Sequence, residues 1–293
     1  MQNKDNKKLM WVLYIGAMLA TIVLVGLFFV YRYKVKFHPY PYSDEGCIVL
    51  LGDSNVAITR FEEAPEEYIS KIVGREVYNC ALGGTTAAKL DYEKTPDYYY
   101  DRCCFYNIVN MIISEEKGVL LDNPEWINSQ YVDAVERVER LAAVDFSKVD
   151  IVCITYGVND YYTGVSFDNF DNEWDYYTFG GALRQGIEKL HARYPDIKFI
   201  LTGPTFCYVQ TAEGDVPAVN YNNGGGYLDQ YSETLCKIAD KYDYVYYIDM
   251  YDRIELDETN YTEAMLDIVH MDGTRQKNFC GCLAEYILEV MND

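Results

Sequence analysis

Residues Cys47-Ile48-Val49-Leu50-Leu51-Gly52-Asp53-Ser54-Asn55 are the stretch that decides how this chain is interpreted. The first five residues are a continuous apolar run, which is typical of a strand that is buried on both faces of a sheet. A turn of small and polar residues follows directly, and it contains Ser54. A serine at the end of a buried strand is well placed to act as a nucleophile, although an ordinary Gly-Asp turn has the same pattern.

The rest of the chain alternates between apolar strands and amphipathic helices. Further strands are predicted at Glu76–Asn79, Asp150–Tyr156, Lys198–Thr202 and Tyr244–Ile248. Helices are predicted at Glu66–Val73, Asp101–Ser114, Glu125–Ala143, Phe179–Tyr194, Tyr227–Tyr242 and Lys277–Met291. This alternation predicts an α/β domain with a mostly parallel sheet that helices cover on both faces. The loops after its strands, which hold Ser54, Gly83-Gly84 and Tyr156–Asp160, are then expected at one edge of the sheet.

The N-terminal part reads as a membrane anchor. Leu9 to Tyr31 contain no charged residue, and a helix of this length spans about 35 Å, enough to cross a bilayer. A cleaved signal peptide is the alternative, but the segment ends in bulky residues instead of a small-residue cleavage site. We therefore expect a tail at residues 1–8, a transmembrane helix at 9–31, a connector at 32–45 and one domain at 46–293.

Charge restricts the ligands of that domain. The flanks of the anchor are almost equally basic, so the placement of the domain outside the cytoplasm rests on the usual arrangement of a single N-terminal anchor. Beyond His38 the chain has 19 basic and 45 acidic residues, a difference of −26. Nucleic acid and anionic lipid need a basic face, so neither is expected as a direct ligand. A neutral or cationic substrate remains compatible.

Nine cysteines are present, which is an odd number. Several lie in apolar runs, and Cys280 and Cys282 point away from each other on the last predicted helix. No spacing typical of a zinc site occurs, so no metal and no cofactor is expected. This cysteine pattern fits a reducing compartment slightly better than an oxidising one, which argues against the external placement.

Hydrolysis by a serine also needs a base, a group that orients the base and donors for the oxyanion. Of the three histidines, His38 lies in the connector and His191 lies in a predicted helix beside its apolar stripe. His270 lies in a loop-like stretch, and Asp267 stands three residues before it. That carboxylate can fold back to accept the Nδ1 proton, which leaves Nε2 to take the proton of Ser54.

Two residues are candidate oxyanion donors. Gly84 allows a ligand to approach its backbone N–H closely, and Asn159 follows an apolar strand with a side-chain amide. Asn159 has a second interpretation as a turn or helix-capping residue.

Four blocks, in this order, resemble those of the SGNH (GDSL-type) hydrolases. They are Gly52-Asp53-Ser54, Asn79–Gly84, Gly157-Val158-Asn159-Asp160 and Asp267-Ile268-Val269-His270. The resemblance covers roughly residues 47–291 and implies a three-layer α/β/α, flavodoxin-like fold. It also implies that Ser54 is the nucleophile and a backbone oxyanion donor, that Gly84 and Asn159 are the other donors, and that Asp267 and His270 complete the catalytic set.

Two departures from the family pattern stand out. Met271–Gln276 separate the last block from the predicted final helix, whereas in the family this block lies close to that helix. A rival alignment places Asp272-Gly273-Thr274-Arg275 on the block, with Arg275 where the histidine belongs. Arginine does not act as a base at neutral pH, so that alignment predicts a catalytically impaired protein.

The sequence therefore predicts a membrane-anchored serine esterase that acts on O-acyl groups, in particular O-acetyl groups, of surface carbohydrate. An O-acyltransferase of the same fold, a glycan-binding scaffold and a lipase remain alternatives. Tyr161–Phe179 is rich in aromatic and acidic residues, and its rings either stack on sugars or pack into a small core of their own. The same ambiguity holds for Tyr98–Tyr100, and the loop at Asn222–Gly226 is interpreted as a surface loop or a lid.

Overall fold

The computed structural model describes residues 2–37, 40, 45–90, 102–116 and 134–293. Its strands are β1 (Cys47–Gly52), β2 (Val77–Asn79), β3 (Val149–Thr155), β4 (Lys198–Thr202), β5 (Tyr208–Thr211), β6 (Gly214–Pro217) and β7 (Val245–Ile248). Its helices are α1 (Gln2–Phe37), α2 (Ser54–Ala57), α3 (Pro65–Val73), α4 (Phe105–Ser114), α5 (Ala134–Ala143), α6 (Val158–Tyr162), α7 (Phe179–Arg193), α8 (Leu228–Lys241), α9 (Met250–Arg253), α10 (Tyr261–Ala264) and α11 (Gly273–Asn292).

Five strands form a parallel sheet in the order β2-β1-β3-β4-β7. The predicted parallel sheet is confirmed, and its strands begin and end within one or two residues of the predicted positions. The order reverses between β1 and β3, which is the topology of a doubly wound, flavodoxin-like sheet. Ligands of such sheets bind at this reversal, beyond the carboxyl ends of the strands.

The sheet separates two hydrophobic layers. Successive side chains of a strand point to opposite faces, so Val49 and Leu51 of β1 face one layer and Ile48 and Leu50 face the other. Helices α4, α5, α7 and α8 supply the first layer. Helices α3 and α11 cover the second. This is the predicted three-layer α/β/α arrangement.

The last helix begins earlier than predicted, at Gly273 instead of Lys277. Asp272 is its N-cap, and the side chain of Asp272 accepts the backbone N–H of Arg275 at 2.7 Å. Only Met271 and the N-cap Asp272 therefore separate His270 from the helix, so the spacer expected at Met271–Gln276 is four residues shorter than predicted. The predicted departure from the family pattern was wrong on this point.

Further elements were not predicted from the sequence. The two-stranded antiparallel hairpin β5–β6 follows β4, and α2, α6, α9 and α10 are helices of four or five residues. The predicted start of α4 at Asp101 and the first part of the helix predicted at Glu125–Ala143 lie outside the described residues.

The N-terminal helix α1 has 36 residues. The side chains described within it lie between Met10 and Phe28, and its large apolar ones are exposed. In the described part of the chain, no helix combines the length and the apolar character that crossing a membrane requires. The predicted transmembrane span is thus not confirmed.

All nine cysteines are free thiols, and seven of them are buried. Burial raises the pKa of Cys47 to about 12, because the thiolate is poorly solvated there and Asp150 adds repulsion. Burial likewise raises the pKa of Cys103 and Cys280 to about 12, so these three thiols are protonated at neutral pH and act as small apolar side chains.

Candidate active site

The candidate site lies where the sheet order reverses. Ser54 begins α2, with one residue between it and the end of β1, and Asn159 lies in α6 just after β3. The two strands pair as far as Gly52 and Thr155. A Cβ at Gly52 would come within 2.7 Å of the Thr155 carbonyl oxygen, so only glycine allows this close approach.

Asp53 sets the shape of the turn before Ser54. Its buried carboxylate caps α2 and accepts the Asn55 backbone N–H at 2.9 Å. Burial raises the pKa of Asp53 to about 6, although hydrogen bonding to Asn55 and the charge of Arg60 oppose the shift.

A fully buried glutamine fastens this turn to α11. The amide of Gln276 donates to the carbonyl oxygens of Asn55 at 2.9 Å and Ile58 at 2.6 Å, and its oxygen accepts the Arg60 N–H at 2.7 Å. The Arg60 guanidinium also donates to the Ser54 carbonyl at 3.0 Å. The serine turn and the helix after His270 are thereby joined as one unit.

Ser54, His270 and Asp267 form a hydrogen-bonded row. His270 Nε2 lies 2.9 Å from Ser54 Oγ, and His270 Nδ1 lies 2.7 Å from Asp267 Oδ2. Because a carboxylate only accepts, Nδ1 carries the imidazole proton and Nε2 is the acceptor for the serine hydroxyl. Ser54 as a residue is only 6% exposed.

Asp267 also determines the shape of the turn that carries the histidine. Its Oδ1 accepts the backbone N–H groups of Val269 at 2.9 Å and His270 at 2.8 Å. Desolvation of Asp267 opposes its charged form, but these bonds and the one from the imidazole outweigh that cost and lower its pKa. The carboxylate is therefore charged at neutral pH.

The structure brings His270, and not Arg275, into contact with Ser54. Arg275 lies in the first turn of α11, where its backbone N–H donates to Asp272, and its Nε atom is buried without a hydrogen-bond partner among the described residues. The hydrogen bond to Ser54 Oγ comes from His270 instead.

Two of the proposed oxyanion donors, Gly84 on a loop and Asn159 on helix α6, lie on segments that are tied together. Gly84 has a φ of 72°, a left-handed conformation that favours glycine. Thr85 follows it, and the Thr85 carbonyl accepts the side-chain amide of Asn159 at 3.0 Å. The Leu82 N–H donates to the Gly52 carbonyl at 2.9 Å, so this loop also meets the end of β1.

Asp160, for which no role was predicted, also connects α6 to the segment that follows Gly84. Its fully buried carboxylate accepts the backbone N–H groups of Ala87 and Ala88, each at 2.9 Å. Burial raises its pKa to about 7, against the effect of these two bonds, and the charge of Asp53 adds to the rise. The signal for this role was its position: an acidic residue that directly follows a buried strand and Asn159.

The other two histidines lie elsewhere. His38 is outside the described residues. His191 of α7 stacks on Tyr244 with a ring-centroid distance of 3.5 Å. Around the site and in the rest of the described chain, no group of histidine, cysteine or acidic side chains is arranged to hold a metal ion.

The aromatic segment Tyr161–Phe179 packs against helices α7 and α8 as part of the first hydrophobic layer, and it does not form a separate core. Phe167 contacts Tyr231 edge-on, and Asp168 pairs with Arg184 of α7 through two bonds of 2.8 and 2.7 Å. The glycine-rich loop fastens to the same segment, because Asn223 donates to the carbonyl oxygens of Tyr161 and Tyr162. This packing supports the surface-loop interpretation, and Tyr98–Tyr100 lie outside the described residues.

The chain belongs to the GDSL-like lipase/acylhydrolase family, whose model matches residues 123–274, just over half of the chain. The matched segment contains Asn159, Asp267 and His270, and it begins after Ser54. A search of curated proteins finds no match.

Solved structures share the fold at low identity. A possible lipase from Chitinophaga pinensis is 14% identical with a TM-score of 0.55, over 85% of this chain and 100% of that one. Est24, a carbohydrate acetylesterase from Sinorhizobium meliloti, is 14% identical with a TM-score of 0.50, over 84% and 100%. A family two carbohydrate esterase from Clostridium thermocellum, in complex with cellohexaose, is 15% identical with a TM-score of 0.50, over 86% and 66%.

Proposed function

We propose that this protein is a serine esterase that removes O-acyl groups, in particular O-acetyl groups, from carbohydrate. The observation that carries the proposal is the row of hydrogen bonds from Ser54 Oγ through His270 to Asp267. A hydroxyl, a base and an orienting carboxylate in this order are the parts that nucleophilic acyl transfer needs.

In the first half of the reaction, Ser54 Oγ attacks the acyl carbonyl carbon while His270 Nε2 takes the serine proton. The tetrahedral intermediate collapses when the sugar oxygen leaves with that proton, which His270 returns as an acid. An acyl group is then esterified to Ser54. Asp267 stabilises the imidazolium that forms in each half of the reaction, because its carboxylate accepts a hydrogen bond of 2.7 Å from Nδ1–H.

The negative charge of the intermediate needs donors that are already in place. In this proposal they are the backbone N–H groups of Ser54 and Gly84 and the side-chain amide of Asn159. One amide hydrogen of Asn159 is used by the Thr85 carbonyl, which fixes the direction of the other. Loss of one such donor typically costs about 10²- to 10³-fold in kcat.

In the second half, an acceptor hydroxyl attacks the acyl carbon of the acyl-enzyme while His270 Nε2 takes its proton. The bond from the acyl carbon to Ser54 Oγ then breaks, and His270 returns the proton to Ser54. Water as the acceptor gives the esterase, and a sugar hydroxyl gives an O-acyltransferase, which is the second candidate function. The scaffold alternative depended on Arg275 standing in for the histidine, and it loses that support. A lipase would need an apolar groove for the acyl chain, and no such groove was predicted.

Carbohydrate is proposed as the substrate on two grounds. Two proteins that share the fold are named as carbohydrate esterases, and one of them is in complex with cellohexaose. The chain carries a net charge of −21, which is compatible with a neutral polymer and unfavourable for an anionic one.

We also propose that the protein is tethered to a membrane, with the catalytic domain outside the cytoplasm. The support is the uncharged run from Leu9 to Tyr31 and the exposed apolar side chains of α1 between Met10 and Phe28. Recovery of the full chain in the soluble fraction of its own cells, without detergent, would contradict the tether.

The test of function is product analysis. The full chain is incubated with an O-acetylated oligosaccharide and an excess of the deacetylated sugar that carries an isotopic label. Release of free acetate is the expected result, and Ser54→Ala is the matched control that should release none above background. Acetate on the labelled sugar would favour the transferase, and no acetate on either acceptor would overturn both candidate functions.

A further inference from the structure

A tyrosine on the Asn159 helix is connected to the turn that carries His270. Tyr162 is the last residue of α6, three residues after Asn159. Its hydroxyl donates to the Tyr208 carbonyl in β5 and lies 3.4 Å from the Ile268 carbonyl oxygen. The Tyr208 N–H in turn donates to the same Ile268 carbonyl at 3.1 Å. Hydrogen bonds therefore connect helix α6 to strand β5, and strand β5 to the turn from Leu266 to His270, called the histidine turn below.

The turn needs such a connection at its outer end. Its base is closed by a bond of 2.8 Å from the Leu266 N–H to the His270 carbonyl and by the pairing of Met265 with Met271. Leu266 and Asp267, the first two residues of the turn, are largely exposed. Asp267 fixes the internal shape of the turn, whereas the Ile268 carbonyl is the point at which β5 holds its direction.

We propose that Tyr162 is a positioning residue of the catalytic site. Its hydroxyl holds Tyr208 in place, Tyr208 holds Ile268, and His270 Nε2 is thereby kept within hydrogen-bonding distance of Ser54 Oγ. Because Asn159 lies on the same short helix, the base and the oxyanion donor are held by one element. The inference rests on the proposed function for the roles of Ser54, His270 and Asn159. Tyr162 itself contacts none of the reacting atoms.

The neighbouring tyrosine provides a matched control. Tyr161 lies on the same helix and packs edge-on against Tyr162, with ring centroids 5.3 Å apart. Its hydroxyl also donates to a backbone carbonyl, that of Tyr221 at 2.8 Å, but Tyr221 leads into the glycine-rich loop and not into the histidine turn. Tyr161→Phe and Tyr162→Phe thus each remove one hydroxyl-to-carbonyl bond, and only the second bond reaches His270.

The experiment compares both variants with the wild-type full chain by two readouts. The first is the rate of labelling by an active-serine phosphonate together with kcat and KM for an acetyl ester. The second is the exchange with water of the His270 Nδ1 proton, followed by NMR on protein labelled with ¹⁵N-histidine. Circular dichroism and thermal midpoints establish that both variants fold, and the two midpoints should be similar.

Tyr162→Phe should lower the labelling rate and kcat about tenfold with little change in KM, since a small misplacement of a catalytic group is costly. Exchange of the His270 proton should be faster by a similar factor. Tyr161→Phe should remain within about twofold of wild type in every readout. Equal effects of the two variants on labelling and on exchange would overturn the inference. If the wild-type protein reacts neither with the phosphonate nor with the acetyl ester, the proposed function fails. The exchange rates of the His270 proton in the two variants then decide by themselves whether Tyr162 positions His270.

Discussion

At the scale of single residues, the chemistry depends on what holds His270. An acidic residue three positions before a histidine occurs twice in this chain, as Glu188 before His191 and as Asp267 before His270. In the first case both residues lie within α7, and Glu188 accepts the Tyr242 hydroxyl at 2.6 Å instead of the imidazole. In the second case the backbone is a tight turn, so the carboxylate reaches Nδ1. Local backbone conformation, and not spacing, distinguishes the two.

Asp267→Asn should lower kcat by about 10³- to 10⁴-fold. The asparagine oxygen can still accept the turn N–H groups, but an amide in place of the second oxygen no longer accepts from Nδ1. The imidazole is then no longer held in the tautomer with the proton on Nδ1, and the negative charge of Asp267 that stabilises the imidazolium is absent. Glu188→Gln makes the same chemical change beside His191 and should leave kcat within about twofold. Similar kcat values for Asp267→Asn and wild type on the acetyl ester would contradict this role.

At the scale of elements, the sequence predicted the central strands well because they are buried on both faces. A continuous apolar run such as Cys47–Leu51 has few alternative structures, and β1 ends one residue beyond it. The start of α11 was missed because Gly273 and Thr274 are poor helix formers, and an N-cap outweighs their propensity.

The hairpin β5–β6 gave no clear signal in the sequence. Its strands have four residues each, partly exposed, and Ala212-Glu213 between them lacks the Asn-Gly or Asp-Gly pattern of common hairpin turns. It is nevertheless the element that contacts the histidine turn through Tyr208. Elements stabilised mainly by tertiary contacts, such as this hairpin, are those that a sequence pattern does not predict.

At the scale of the whole molecule, topology brings together segments that are far apart in the chain. Ser54 and His270 are 216 positions apart in the chain, yet Ser54 Oγ and His270 Nε2 are 2.9 Å apart, because both residues lie at the carboxyl edge of the sheet. The convergence of Ser54, the Gly84 loop and Asn159 at this edge was predictable from the alternation of strands and helices. The buried carboxylates Asp53 and Asp160 that brace these loops were not, since their roles require known loop conformations.

These two carboxylates predict how stability depends on pH. Burial raises the pKa of Asp53 to about 6 and that of Asp160 to about 7, whereas both lie near 3.8 in the unfolded chain. From about pH 4 to 7 the folded state therefore binds more protons than the unfolded state, so the free energy of unfolding falls as pH rises. The contribution of Asp267 to the pH dependence has the opposite sign. Folding lowers its pKa, so the stability that it contributes is lost only when the pH falls through that pKa.

Urea unfolding at a series of pH values from 5 to 8 should accordingly give midpoints that decrease as pH rises. Asp160→Asn removes one of the two titrating groups and should make that decrease shallower over the same pH range. A wild-type midpoint that rises or stays constant from pH 5 to 8 would show that the two carboxylates are not held in the protonated form by burial.

The central claim is that Ser54 is a nucleophile activated by His270, and labelling by an active-serine phosphonate tests it most directly. Peptide mapping of the labelled wild-type chain should place one phosphonyl group on Ser54, and Ser54→Ala should remain unlabelled under the same conditions. A wild-type protein that reacts no better than Ser54→Ala would contradict the account.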